Sequence, residues 1–188
     1  MAIYSTIFNF HSATGFEMAT YDSLYLSKGV IFMKVFISHK NEDSALALAI
    51  QNAFSKNGVQ SYLDVLDSSI TSGGKELTDH IKNNLNSCSD IIVVMSDSTK
   101  NSWWVPFEIG MSAQVDMPTA SFLKSEVVLP SYLSYWPRLK TISDIDKYVA
   151  VRKRIEKAIN DQYGRYAFEK RQSIETRVFY DALKLELR

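Results

Sequence analysis

An α/β fold built on a doubly wound parallel sheet is what this 188-residue sequence predicts, and three observations carry that expectation. Short runs rich in β-branched and aromatic residues alternate with stretches of helical period. The segments between successive runs are long enough, at about a dozen residues or more, to hold a crossover helix. DIIVVMS (90–96) is apolar without alternation, as in a strand covered on both faces.

KVFIS (34–38) is the first strand. It leads through HKNED into SALALAIQNAFSKNG, where Leu46, Ile50, Ala53 and Phe54 recur at helical spacing and Gly58 closes the end. VQSYLDV reads as the second strand and DSSITSGG as a polar loop. Leu77, Ile81 and Leu85, spaced by four, mark the second helix. The Gly73-Gly74 pair is a flexible turn, since its surroundings fit neither a GxGxxG nor a Walker arrangement. DIIVVMS is the third strand, WWVPFEIGMSAQV the third helix, ASFL (120–123) the fourth strand and LKTI (139–142) the fifth.

Beyond that point the chain is helical in character, with Tyr148, Val151, Ile155 and Ile159 as one stripe and Ile174, Val178 and Ala182 as another. Its 11 Lys/Arg between 144 and 188 are interleaved with eight Asp/Glu, which describes solvated faces better than a nucleic-acid patch. Residues 1–32 are aromatic and poor in charge, with Phe8, Phe10, Phe16, Tyr21 and Tyr25 at no clear period. They form either a short packed element or sequence upstream of a start at Met33. The expected division is an N-terminal extension 1–32, a domain 33–142 and a helical extension 143–188.

Lys+Arg and Asp+Glu number 21 each, so no long-range field draws the protein toward nucleic acid or an anionic membrane, and a small ligand or protein partner is the better expectation. A single cysteine, Cys88, excludes an internal disulfide and a multi-cysteine metal site, and His11, His39 and His80 lack metal-ligand spacing. Apolar runs such as IIVVM fall far short of the ~20 residues of a membrane helix. No basic segment and apolar core of a secretory signal opens the sequence. A cytoplasmic protein with metal-free chemistry is expected.

Doubly wound sheets bind ligands beyond the carboxyl ends of their strands. Those ends are SHKNED, DVLDSSITSGG and SDSTKNSWW. The third runs into NSWWVPFEIG (101–110), which sets two of the three tryptophans beside a proline and a glutamate at a helix mouth. Glu108 is a poor capping-box residue, because position 105 is Val where Ser or Thr is wanted. Asn41 or Asp43 is suited to cap the first helix, and for Asp43 that role stands beside a functional one.

KVFISHKNED, CSDIIVVMSDSTKNS and the S-x-W-x-x-x-E of Ser102, Trp104 and Glu108, in this order, resemble the Toll/interleukin-1 receptor (TIR) domain, particularly its bacterial branch, over residues 33–142. The resemblance implies a flavodoxin-like fold and an NAD glycohydrolase or cyclase, with NAD as substrate and no further cofactor. It makes Glu108 the catalytic carboxylate and Ser38, His39, Lys40 and Asp43 a nucleotide-facing segment, with Lys40 suited to the pyrophosphate charge. Ser102 and Trp104 complete the implied site. It also implies homo-oligomers formed through TIR contacts, with the second loop gating the site. In a Thoeris-type antiphage system it implies a separate effector that responds to a cyclic ADP-ribose-type product.

Elementary chemistry is compatible with that role. Nicotinamide leaves NAD as a neutral molecule, so no general acid is required, and the enzyme must mainly stabilise an oxocarbenium-like ribose. Two residues after Pro106, Glu108 is expected in the first turn of its helix, where the dipole favours the carboxylate. Trp104 lies one turn earlier if the helix begins early, with its ring beside that carboxylate; core packing is the alternative. Trp103 is left to packing or partner contact. His39 is expected as a structural hydrogen-bonder, since the chemistry assigns it no proton transfer. Two other functions stay open. One is a non-catalytic TIR adaptor acting by self-association, which has no need of Ser102, Trp104 and Glu108 together. The other is a nucleoside deoxyribosyltransferase-like enzyme, which shares the sheet topology and the single carboxylate.

Overall fold

Five strands, β1 (Lys34–Ser38), β2 (Gln60–Asp64), β3 (Asp90–Met95), β4 (Thr119–Leu123) and β5 (Arg138–Leu139), pair in parallel in the order β2-β1-β3-β4-β5. The computed structural model describes residues 33–64, 74–99, 102, 104–124, 127–129, 131–163 and 168–188. Expectations placed on residues 1–32, on the loop 65–73 with Gly73, and on Trp103 lie outside them.

Parallel neighbours need crossovers, which α1 (Ser44–Lys56), α2 (Gly74–Asn86) and α3 (Trp104–Gln114) supply; α4 (Ser143–Tyr163) follows β5, and α5 (Phe168–Glu186) ends the chain. Right-handed crossovers decide the layers. The chain moves outward from β1 to β2 and then back past β1 to β3 and β4, so α1 covers one face and α2 and α3 the other.

Period-two alternation along the strands feeds both cores. Val35, Ile37, Ile92, Val94, Ala120 and Phe122 meet Ile50 and Phe54 of α1 together with side chains of α4 and α5. Phe36, Ile91, Val93 and Met95 meet Leu85 of α2, Val105 and Ile109 of α3, and Leu133. This strand order is the flavodoxin-like one, and its winding reverses between β1 and β3, which places a crevice at Ser38 and Met95.

The ends of α1 and α3 follow one rule. Gly58 takes φ 70° just past α1, and the Val59 N–H returns to the Phe54 carbonyl at 3.0 Å. That is a Schellman closure, which glycine adopts without Cβ strain. α3 closes the same way through Asp116, at φ 52°, with the Met117 N–H on the Ser112 carbonyl at 2.9 Å. Asp tolerates the left-handed region better than most residues.

Two expectations are corrected. β5 is Arg138–Leu139 and not LKTI, because the N–H groups of Lys140 and Thr141 donate to Asp144 Oδ2 at 3.0 Å each and so open α4 instead of extending the sheet. Of the expected α5 stripe, Ile174 and Ala182 pack partly buried against the core, but Val178 is exposed and Phe179, Tyr180 and Leu183 are the buried residues; large aromatics gain more from burial than the β-branched residue one position earlier. The helices that follow residue 142 pack on the same sheet. Tyr148, Val149, Val151, Phe179 and Leu183 belong to the same core as β1, β3 and β4, and Phe32–Arg188 forms one compact unit.

Candidate active site

α3 starts at the carboxyl end of β3 and runs back along the sheet, so its first turns flank the strand ends. Val105, Glu108, Ile109 and Ser112 are its buried residues and form one stripe at helical spacing. Glu108 is only 1% exposed, a carboxylate on the sheet-facing side among positions that otherwise hold apolar or small residues. Ser38 ends β1, also 1% exposed. By strand alternation it faces the same side as Phe36, which is the side α3 covers. Its Oγ has no hydrogen-bond partner among the described residues. A buried serine hydroxyl left in that state at a sheet's carboxyl end is a group that an incoming polar ligand can satisfy.

Ser102 and Pro106 explain where α3 begins. Ser102 Oγ accepts from the N–H groups of Trp104 and Val105 at 3.2 and 3.4 Å, the two-donor pattern of an N-cap. Pro106 is the third residue of the helix, where an N–H has no intrahelical acceptor to lose. Glu108 is therefore the fifth residue and not in the first turn, which holds no acid. The helix begins earlier than Pro106 alone suggests, and dipole support for the carboxylate, confined to the first turn, is correspondingly weaker.

Trp104 opens α3 one turn before Glu108 on the same side of the helix. It belongs to neither core cluster and meets Phe107 edge-on at 6.0 Å, so it is a partly exposed rim aromatic.

In the first loop, Lys40 precedes a 3₁₀ turn, Asn41–Asp43, and is half-buried. His39 is buried, with Nδ1 3.3 Å from the Ile37 carbonyl and Nε2 3.5 Å from Ser44 Oγ. A carbonyl only accepts, so Nδ1 carries the proton.

Asp43 makes no side-chain cap to α1, which removes the capping alternative. It is 1% exposed. Its Oδ2 accepts from Ser96 Oγ at 2.5 Å and Thr99 Oγ1 at 2.8 Å, and its Oδ1 from Lys124 Nζ at 2.9 Å. Sequence reading missed Ser96, Thr99 and Lys124. The one available signal is that each follows the carboxyl end of a strand, β3 for the first two and β4 for the third.

Burial opposes the Asp43 charge, but the Lys124 ammonium and the two hydroxyls outweigh it and hold the carboxyl below its usual range. A lowered folded-state pKa gives stability that is fully present above the unfolded value, about 3.9, and lost as pH falls through the folded value. Asp43→Asn is expected to cost about 1–3 kcal/mol near neutrality and to flatten the decline of stability below about pH 4. Urea midpoints measured across that range check both. An unchanged acid limb would remove Asp43 from the titration.

Among the described residues no group of His, Cys, Asp or Glu is arranged to hold a metal ion, and no helix is long and apolar enough to cross a membrane. The strand order and the polar residues at the strand ends make this a doubly wound α/β domain with a candidate site on its carboxyl rim. A sequence profile of the TIR domain matches residues 35–162, and the chain belongs to the TIR domain family. The match runs through most of α4, in keeping with the shared core. Among solved structures, the chain is similar to the TIR domain of the Toll-related receptor TRR-2 from the lower metazoan Hydra magnipapillata. The TM-score is 0.50 at 14% identity, covering 65% of this chain and 95% of that one. No curated protein sequence matches significantly.

Proposed function

We propose that this chain is a TIR-domain enzyme that cleaves the nicotinamide–ribose bond of NAD, with Glu108 as its catalytic carboxylate. The carrying observation is the placement of Glu108 on the sheet-facing side of α3, near the carboxyl rim. A site that must stabilise an oxocarbenium-like ribose needs negative charge held out of bulk water, and a buried carboxylate at this position suits that need. The family includes NAD glycohydrolases alongside non-catalytic adaptors, and self-association alone does not call for Ser102, Trp104 and Glu108 together. Ser38 and Trp104 supply a hydroxyl and an aromatic edge for the ribose and base, and Lys40 a cation for the pyrophosphate.

Incubation with NAD, and separately with a deoxynucleoside, tests the reading. Release of nicotinamide from NAD alone supports it. Base exchange from the deoxynucleoside alone indicates a transferase, and inertness toward both an adaptor. Separating linear from cyclic ADP-ribose then decides the product; a cyclic one favours a signal-making arm of antiphage defence acting on a separate effector. Running the assay over a range of protein concentrations, with light scattering, tests the self-association that TIR contacts imply.

Trp104→Ala is expected to raise KM for NAD by about 2–10-fold, the scale of one lost aromatic contact. Lys40→Ala is expected to raise it by an amount that shrinks as salt screens the phosphates. A Lys40→Ala effect independent of ionic strength would remove the pyrophosphate role.

A further inference from the structure

The buried Asp43 carboxylate joins segments that lie far apart in the chain. On one side it holds Lys124, whose own N–H donates to the Met95 carbonyl at 3.0 Å and so ties the ends of β3 and β4. On the other it holds Ser96 and Thr99, which are themselves coupled: the Thr99 N–H donates to Ser96 Oγ at 3.1 Å. From there the connection continues. The Ser102 N–H donates to the Thr99 carbonyl at 2.9 Å, and the Ser102 hydroxyl accepts from the first residues of α3 at 3.2 and 3.4 Å. An unbroken series of hydrogen bonds therefore runs from Asp43 through Thr99 and Ser102 to the N-terminus of the helix that carries Trp104 and Glu108. Asp43, Ser96 and Thr99 are buried, so water does not compete for the bonds among these three.

We infer that Asp43 is a positioning residue that fixes the start of α3, and with it Glu108, through Thr99 and Ser102, and is not a group that touches the nucleotide. The carboxylate suits this task because it only accepts and offers about four lone-pair sites. It can hold an ammonium and two hydroxyls at once, which Asn, with one acceptor oxygen, cannot. The consequence for catalysis rests on the NAD-cleaving reading above. A helix start released by a fraction of an ångström misplaces the carboxylate in the transition state more than it weakens ground-state binding.

Two measurements test the proposal, and the first needs no substrate. Amide hydrogen exchange at Ser102, Trp104 and Val105 reads the bonds to Thr99 and Ser102 directly. In Asp43→Asn and in Thr99→Val these amides are expected to exchange at least about 10-fold faster relative to those of Ile81 and Leu85 in α2, and the double variant about as fast as either single one, because both act through one connection. Lys40→Ala, which lies outside it, leaves them unchanged. In the NAD assay both single variants are expected to lower kcat by about 10–100-fold with KM held within about threefold. Native exchange at these amides in folded Asp43→Asn overturns the proposal, as does a raised KM with unchanged kcat, which would put Asp43 against the substrate. Thr99→Val, which keeps Asp43 paired with Ser96 and Lys124, carries the test if Asp43→Asn fails to fold. If the unmodified chain leaves NAD intact, the enzyme reading fails while the exchange result still decides the positioning role.

Discussion

The Glu108→Gln protein is expected to fold like the unmodified chain and to cleave NAD at least about 100-fold more slowly. Gln has nearly the shape of Glu, so the sheet-facing stripe Val105, Glu108, Ile109 and Ser112 stays filled and no cavity opens. The amide keeps the volume and a hydrogen-bonding oxygen at this position, so the fold should be kept. What disappears is the charge facing the positive ribose that forms as nicotinamide departs. Because that interaction strengthens only as the bond breaks, kcat and kcat/KM should fall together with KM little altered. Glu108→Ala should show the same loss with some destabilisation from the empty volume. Wild-type nicotinamide release by a folded Glu108→Gln protein would defeat the assignment of this carboxylate.

How much of this could be read from the chain depends on the range of the interaction involved. The β-branched and aromatic run of KVFIS and the unbroken apolar run of DIIVVMS are local consequences of burial, so strands and crossovers are legible. Glycine at 58 is legible for the same reason, since a left-handed closure demands it. Helix starts are less so: Pro106 marks the first turn, but Ser102, whose hydroxyl sets the cap, decides where the turn begins, and that moves Glu108 to the fifth position. On α5 the stripe of Ile174, Val178 and Ala182 lies at the margin of the buried face, with Val178 exposed, because adjacent faces of a helix share one period and only the surface they meet distinguishes them. The Asp43 cluster is legible only in that its members stand at the ends of strands or in the loops that follow them. Its members pair across 53, 56 and 81 positions, and nothing in SHKNED says which distant hydroxyls and lysine will meet it.

Arg152→Ala is expected to destabilise the domain by about 3–5 kcal/mol while leaving the site untouched. The Arg152 side chain, 7% exposed, lies between Asp90, 0% exposed, and Glu175, 7% exposed. Its Nε donates to Asp90 Oδ1 at 2.9 Å, and another guanidinium nitrogen donates to Glu175 Oε1. Asp90 also accepts from the Tyr148 hydroxyl at 2.8 Å and from Ser89 Oγ at 2.6 Å, and the guanidinium rests 5.6 Å from the Phe179 ring centroid. Cutting the side chain to Ala leaves two buried carboxylates without their cation, which costs far more than the pair contributed net. Arg152→Lys should fall between, since an ammonium keeps the charge but loses the planar fork that reaches both acids. If unpaired charge is the cause, then neutralising all three positions, with Asp90→Asn, Arg152→Met and Glu175→Gln, should recover most of the loss. Urea unfolding measures this. Cys88 offers a second probe, because burial pushes its thiol up to about 11 and thiol reagents should reach it only on unfolding. The cluster lies at the amino end of β3, away from the carboxyl rim, so nicotinamide release per folded molecule should be unchanged. An Arg152→Ala midpoint within about 0.5 kcal/mol of wild type would mean that this ion cluster does not hold α4 and α5 to the sheet. The expected loss would instead make these helices, through one guanidinium, a condition for the sheet to hold together at all.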